Sequence, residues 1–120
     1  MTATKDTGAV LEMEIAMQVV LIDQFVVPEA ALQEFLENVH FSANIVKPRP
    51  GFVEGFVHER TAGDGRVNVV TTAVWATEAA MNDARKSVAE EFSKLGFNPP
   101  QIMDRLGVQM ERGTYRRSSY

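Results

Sequence analysis

The 120-residue sequence contains no cysteine, which excludes disulfide bonds, cysteine–zinc sites, iron–sulfur clusters and thiol nucleophiles. It also lacks any apolar run close to the roughly 20 residues that a membrane-spanning helix needs. The polar first residues, Met1 to Gly8, are not followed by the apolar segment of a secretory signal. These absences predict a cytoplasmic protein that does not associate with membranes.

Positive charge is also scarce, since 12 basic residues stand against 16 acidic ones. The resulting pI near 5.1 argues against a broad nucleic-acid-binding surface. The sequence has no Walker loop, no dinucleotide-binding glycine motif, no zinc-protease motif and no nucleophile elbow. Its two histidines, His40 and His58, are not spaced as a pair of metal ligands. We therefore expect neither a metal nor a bound cofactor.

The composition, 45% apolar and 23% charged, is that of an ordinary globular protein with one core. We divide the chain into an N-terminal extension (1–16), one domain (17–115) and a basic C-terminal tail (116–120). Within the extension, Met1–Gly8 is expected to fray. From Val10 onwards apolar and polar residues alternate as in a half-exposed strand. The same residues favour a helix over Ala9–Met17, and both interpretations stay open at this point.

The domain shows alternating signals for strands and helices. The run Gln18–Val27 is rich in β-branched residues and predicts a strand that is apolar on both faces. Glycines between Ala62 and Gly65 predict the turn of a β-hairpin. Thr77 and Gly96 are suitable caps for a long helix. The remaining predicted elements are a helix from Pro28 to Val46, strands Phe52–Arg60 and Arg66–Trp75, helices Glu78–Leu95 and Pro99–Leu106, and a strand from Gly107 to Tyr115.

This order predicts an α+β, ferredoxin-like βαββαβ fold, in which a four-stranded antiparallel sheet carries both main helices on one face. In the second strand, Phe52, Phe56 and His58 are expected on one face and Val53 and Val57 on the other. Because the first and third strands are apolar on both sides, something besides the helices must cover the sheet. The simplest cover is the sheet of a second copy, which predicts a two-fold homodimer.

Asp23 is the most informative polar residue, because it lies in mid-strand between Leu21 and Phe25 on a face that should be buried. A buried carboxylate is costly unless it is paired or protonated. Such a group suits a general base or a hydrogen-bond donor near neutral pH. The alternative is a purely structural role, in which Asp23 pairs with an arginine or accepts hydrogen bonds from backbone amides.

Five other residues are candidates for contacts with a ligand. Trp75, the only tryptophan, could form a flat wall with one N–H donor, and Thr71 shares its strand face. His40 on the first helix could act as a ligand or transfer a proton. Arg85 on the long helix could hold an anionic group, and Phe25 shares the face of Asp23. If these residues have only structural roles, Trp75 and His40 pack in the core or at its border, Thr71 favours the strand, and Arg85 is a solvated surface residue.

Three segments together resemble the antibiotic biosynthesis monooxygenase superfamily. They are VVLIDQFVVPEAALQEFL, RPGFVEGFVHER and VNVVTTAVWATEAAM. The shared elements are an apolar first strand ending near a proline, the PGF entry to strand two, and a V-W-x-[ST]-E-x-A passage from strand three into a helix. The resemblance extends from Gln18 to Tyr115. It implies a dimeric α/β barrel with a ligand cavity between sheet and helices in each subunit.

Some members of that superfamily oxidise polycyclic phenols to quinones with O₂ and no prosthetic group, and others degrade haem. Trp75 matches the family tryptophan, whereas Asp23 and Thr71 stand where many quinone-forming members carry asparagines. Asn68 is predicted on the opposite strand face and is therefore a poor replacement for the second asparagine. Haem-degrading members place a histidine near the position of Arg85, and this helix has none.

The leading hypothesis from this resemblance is cofactor-independent oxygenation of a small, anthrone-like polycyclic phenol. Trp75 would form the pocket wall, Asp23 would accept or donate a proton, and Thr71 would donate or accept a hydrogen bond. Three alternatives stay open: a non-catalytic binding or sensing module, a haem-binding protein that uses His40 or His58, and an aldol-type isomerase or decarboxylase. The expected partners are a small aromatic molecule and a second copy of the chain.

Overall fold

The computed structural model describes residues 3–118, with side chains from residue 7 onwards. Met1 and Thr2 of the extension and Ser119 and Tyr120 of the basic tail lie outside the described residues. In chain order the elements are helix α1 (Ala3–Met17), strand β1 (Val19–Val26), a 3-10 turn (Glu29–Ala31), helix α2 (Leu32–Val46), strands β2 (Phe52–Glu59) and β3 (Val69–Trp75), helices α3 (Glu78–Leu95) and α4 (Pro99–Leu106), and strand β4 (Gln109–Tyr115).

The four strands form one antiparallel sheet in the order β2-β3-β1-β4. This is the predicted ferredoxin-like βαββαβ fold, and β1 and β3 are its central strands. Helices α2 and α3 pack on the face that carries Val19, Phe25, Val69 and Trp75. No helix in the part of the chain that the structure describes is long and apolar enough to cross a membrane.

The N-terminal segment is helical, so the strand interpretation was wrong. Helix α1 begins at Ala3, six residues before the predicted start. Its alanine, leucine, methionine and glutamate residues favour a helix. The strand that follows, β1, is paired on both sides by β3 and β4, so the N-terminal segment has no free edge beside β1 to pair with. Four large apolar side chains on this helix are at least half exposed: Val10, Leu11, Met13 and Met17.

A β-bulge at the start of β2 corrects the predicted faces of that strand. The register shifts between Phe52 and Glu54, so that Phe52 pairs with Trp75 while Phe56 pairs with Thr72. The extra residue reverses the alternation. Phe52 therefore lies on the helix-bearing face of the sheet, and Phe56 and His58 lie on the other face.

Strand β3 begins at Val69 rather than at the predicted Arg66, because Asn68 makes side-chain hydrogen bonds to the backbone beyond the end of β1. The Asn68 side-chain amide accepts a hydrogen bond from the Val27 N–H at 2.9 Å and donates one to the Val27 carbonyl at 2.8 Å. Its own N–H donates to the carbonyl of Phe25. Asn68 thus ties the start of β3 to the end of β1.

The ends of α3 are as the sequence predicts. The Thr77 hydroxyl accepts a hydrogen bond from the Ala80 N–H at 3.1 Å, and Gly96 ends the helix with a φ of 65°. The hydroxyl satisfies one of the backbone N–H groups that the first helical turn leaves free.

Replacing Thr77 by alanine is expected to lower the free energy of unfolding by about 1 kcal/mol, because this N-cap bond is lost. Urea titration followed by far-UV circular dichroism measures the change. Thr61→Ala, in the exposed β2–β3 loop, is the matched control and should have little effect. Equal stability of the two variants would contradict the capping role.

Candidate functional site

A large cavity separates two buried clusters on the helix-bearing face of the sheet. One cluster contains Val19, Trp75, Met81 and Ala84. The other contains Phe25, Val27, Phe35 and Val69. The cavity, of about 1260 Å³, lies over the middle of the sheet and reaches α2, α3 and α4. Its volume exceeds the upper end of the usual range for small-molecule sites, roughly 300–1,000 Å³.

Small and polar side chains on the strands leave this volume open. Asp23 lies directly opposite Thr71 across the β1–β3 pair, and Leu21 lies opposite Ala73. Gly55 of β2 stands beside Ala73. All five residues line the cavity. Apart from Leu21, these residues at the centre of the face are small or polar, so they do not fill the space against the helices.

Asp23 is paired with Arg112 of β4. The Nε of Arg112 donates to one carboxylate oxygen of Asp23 at 2.7 Å, and Nη2 donates to the other at 2.8 Å. The side chain of Asp23 is 11% exposed and that of Arg112 is 45% exposed. The hydrogen bond to Asp23 raises the pKa of Arg112 above its ordinary value, against the opposing effect of burial. Of the roles considered for Asp23, the structure shows the pairing with an arginine.

Arg112 is the site residue that sequence analysis missed. In β4 it alternates with Met110 and Thr114, which assigns the three residues to one face. The antiparallel register places Arg112 opposite Asp23. The sequence did contain a signal for this pair: the apolar strand β1 has one aspartate, and β4 has an arginine on the face of Met110 and Thr114. The register that places the two residues opposite each other could not be read from the sequence.

Trp75 and Thr71 lie on the same sheet face, as predicted. Trp75 is 3% exposed, and its ring meets that of Phe52 edge-on at 5.3 Å between centroids. Its Nε1–H is buried and has no acceptor among the described residues. The two rings line one end of the cavity. At the other end, Phe25 meets Phe35 edge-on at 4.8 Å.

The remaining candidates are divided between the cavity and the opposite sheet face. His40, Arg85 and Phe25 all line the cavity, and the first two are exposed. His58 lies on the opposite sheet face, where its ring is 6.2 Å from that of Phe56. The structure thus brings together all six predicted site residues on one cavity and separates His58 from them. Among the side chains that the structure describes, no cluster of three or more histidine or acidic residues could hold a metal ion.

The sequence matches no protein-family model and no curated protein, but the fold matches solved structures. SnoaB, a cofactor-independent oxygenase from Streptomyces nogalater, is 24% identical with a TM-score of 0.65, over 88% of this chain and 97% of that one. A candidate antibiotic biosynthesis monooxygenase from Deinococcus radiodurans is 13% identical with a TM-score of 0.63, over 85% of this chain and 94% of that one. The haem-degrading protein Rv3592 from Mycobacterium tuberculosis is 23% identical with a TM-score of 0.52, over 57% of this chain and 78% of that one.

The sheet order and the helices on one face of the sheet define a ferredoxin-like α+β domain. Within that class, the chain has the fold of the antibiotic biosynthesis monooxygenases, over most of its length. This agrees with the resemblance of its strand motifs.

Proposed function

We propose that the protein is a cofactor-independent oxygenase of a small, anthrone-like polycyclic phenol. The observation that supports this best is the cavity itself, which has aromatic rings at both ends and the Asp23–Arg112 pair with Thr71 on its floor. Flat apolar walls fit a planar ring system, and a few convergent polar groups can orient it. The similarity in fold to a cofactor-independent oxygenase agrees with this chemistry.

The reaction would use the reducing power of the substrate. An anthrone loses a proton from its central methylene group, and the resulting anion transfers electrons to O₂. The carbon gains one oxygen atom to become the second carbonyl of a quinone, and the other oxygen atom leaves as water. The protein has to bind the substrate, accept the proton and stabilise the developing oxyanion.

The residues on the cavity floor can share these tasks. Asp23 would accept the methylene proton, since each carboxylate oxygen retains acceptor capacity beyond its bond to Arg112. Arg112, which stays protonated, would stabilise the oxyanion. Thr71, directly opposite Asp23, would donate a hydrogen bond to a substrate oxygen. Trp75 would form the wall against which the rings stack.

Oxygen uptake by metal-stripped protein with a dihydroxyanthrone tests this proposal. We expect saturable uptake that yields the anthraquinone and falls at least tenfold in Asp23→Asn, equivalent to about 1.4 kcal/mol of barrier. Asp64→Asn, on the exposed β2–β3 loop, is the matched control and should keep the wild-type rate. Trp75→Phe keeps a flat wall and should raise KM more than it lowers kcat.

Uptake at the spontaneous rate would contradict the oxygenase proposal. Saturable binding of the anthrone without turnover would identify a binding or sensing module on the same cavity.

A haem-binding function is the second candidate, because His40 is an imidazole on the cavity wall. Its exposed position on α2 would allow it to ligate iron. Haemin titration should then give a Soret band that is lost in His40→Ala and kept in His58→Ala, because His58 lies on the other sheet face. No Soret shift, or a shift unchanged in His40→Ala, would contradict this candidate.

We also propose that the protein is a homodimer formed through the second face of the sheet. The central strands place apolar side chains there, and Phe56 at 56% and Tyr115 at 49% exposure flank them. The half-buried apolar residues are Val20, Ile22, Val26, Val70 and Val74. An exposed apolar sheet face of this kind is typical of an interface.

A further inference from the structure

The charged residues that line the cavity are mostly cationic, although the chain as a whole has a negative net charge. The whole sequence has a net charge of −4, yet the charged residues that line the cavity are the cations Lys47, Arg85 and Arg112 and the single carboxylate Asp23. In the described part of the chain, neither Lys47 nor Arg85 has an ion-pair partner. The cavity is therefore a cationic region in an acidic protein, and it attracts anions.

Arg112 is the cation best placed to hold a negative group. Asp23 binds its Nε and Nη2 and so fixes the plane of the guanidinium. The third nitrogen, Nη1, has no acceptor among the described residues. The side chain lines the cavity and is 45% exposed. A guanidinium held in this way is prepared to bind a carboxylate or a phenolate, because little rotamer freedom remains to be lost.

We infer that the cavity contains an anion subsite at Arg112, and that its ligand is a planar aromatic compound bearing a carboxylate or phenolate group. Aromatic rings of the cavity lining contact the aromatic body, and Arg112 binds the charged group, with Lys47 and Arg85 adding to the positive potential. This inference rests on the proposed function only in taking the cavity to be the ligand site. It does not depend on catalysis.

A pair of probes that differ in charge and little in shape tests the subsite. Binding of 2-naphthoate and of 2-naphthamide is measured by isothermal titration calorimetry at low ionic strength and pH 7.5. The wild-type protein should bind 2-naphthoate at least tenfold more tightly, a difference of about 1.4 kcal/mol. Raising the salt concentration should weaken binding of the naphthoate and leave that of the naphthamide unchanged.

Two matched double variants assign the preference to the pair. Asp23→Asn with Arg112→Gln removes the subsite cation without leaving an unpaired buried carboxylate, and it should abolish the preference for naphthoate. Asp64→Asn with Arg66→Gln removes the same charges from the exposed β2–β3 loop, outside the cavity lining, and should keep the preference.

The outcomes separate this inference from the proposed function. Equal binding of both probes by the wild-type protein, or a preference that survives in the Asp23→Asn/Arg112→Gln variant, would overturn the anion subsite while leaving the cavity as an aromatic site. Binding of neither probe would contradict the cavity as the ligand site, and with it the proposed function.

Discussion

Replacing Arg112 by glutamine is expected to lower the free energy of unfolding by about 3 kcal/mol. The substitution leaves Asp23, 8% exposed as a residue, as a buried carboxylate without its partner. Removing one member of a buried pair costs roughly 3–5 kcal/mol, and the half-exposed position of Arg112 places this case at the lower end. Urea unfolding at pH 7 measures the change.

The second variant, Asp23→Asn with Arg112→Gln, should recover most of the lost stability, because no charge remains in the cavity floor at this point. Arg105→Gln is the matched control: Arg105 pairs with Glu34 on the surface, with both side chains about half exposed, and exposed pairs contribute little. Equal losses in Arg112→Gln and Arg105→Gln would contradict a buried, structurally important Asp23–Arg112 pair.

Replacing Ile22 by arginine is expected to dissociate the proposed dimer. Ile22 pairs with Thr72 and Gly113 in the middle of the second sheet face. A charge buried there without a partner costs several kcal/mol, so the dimer dissociation constant should rise by about 100-fold or more, a change of about 2.7 kcal/mol. Sedimentation velocity over a concentration series measures it.

Asn82→Arg, which adds the same charge on an exposed position of α3, is the control and should leave the association state unchanged. Circular dichroism has to show that Ile22→Arg is folded, which we expect because Ile22 is half-buried in the single chain. A monomeric wild-type protein, or an Ile22→Arg variant that stays dimeric, would contradict this interface.

The order of elements could be predicted because most of the boundaries depend on a local signal. Thr77 and Gly96 bound α3 through their own hydroxyl bond and positive φ, and Pro99 opens α4. The start of β3 was misplaced because Asn68 makes its contacts 41 residues away, at Val27. In the segment of α1, apolar and polar residues alternate with a period of two, as in a strand, while the residue types favour a helix. The sequence alone did not decide between the two, and the structure shows the helix.

The candidate site could be predicted in part. The faces of Asp23, Thr71 and Trp75 follow from strand alternation, which is local. The face of Phe52 depends on a bulge, and the role of Arg112 depends on the register between β1 and β4. Both are properties of strand pairing, and a single strand sequence does not contain them.

The single tryptophan gives this protein a built-in optical reporter. Trp75 is 3% exposed, packs against Phe52 and lines the cavity. Its emission maximum should therefore lie well to the blue of free indole, and a planar ligand that absorbs in the near ultraviolet should quench it by energy transfer. Occupancy of the cavity, and its loss on unfolding, can thus be followed in the unlabelled chain from one side chain.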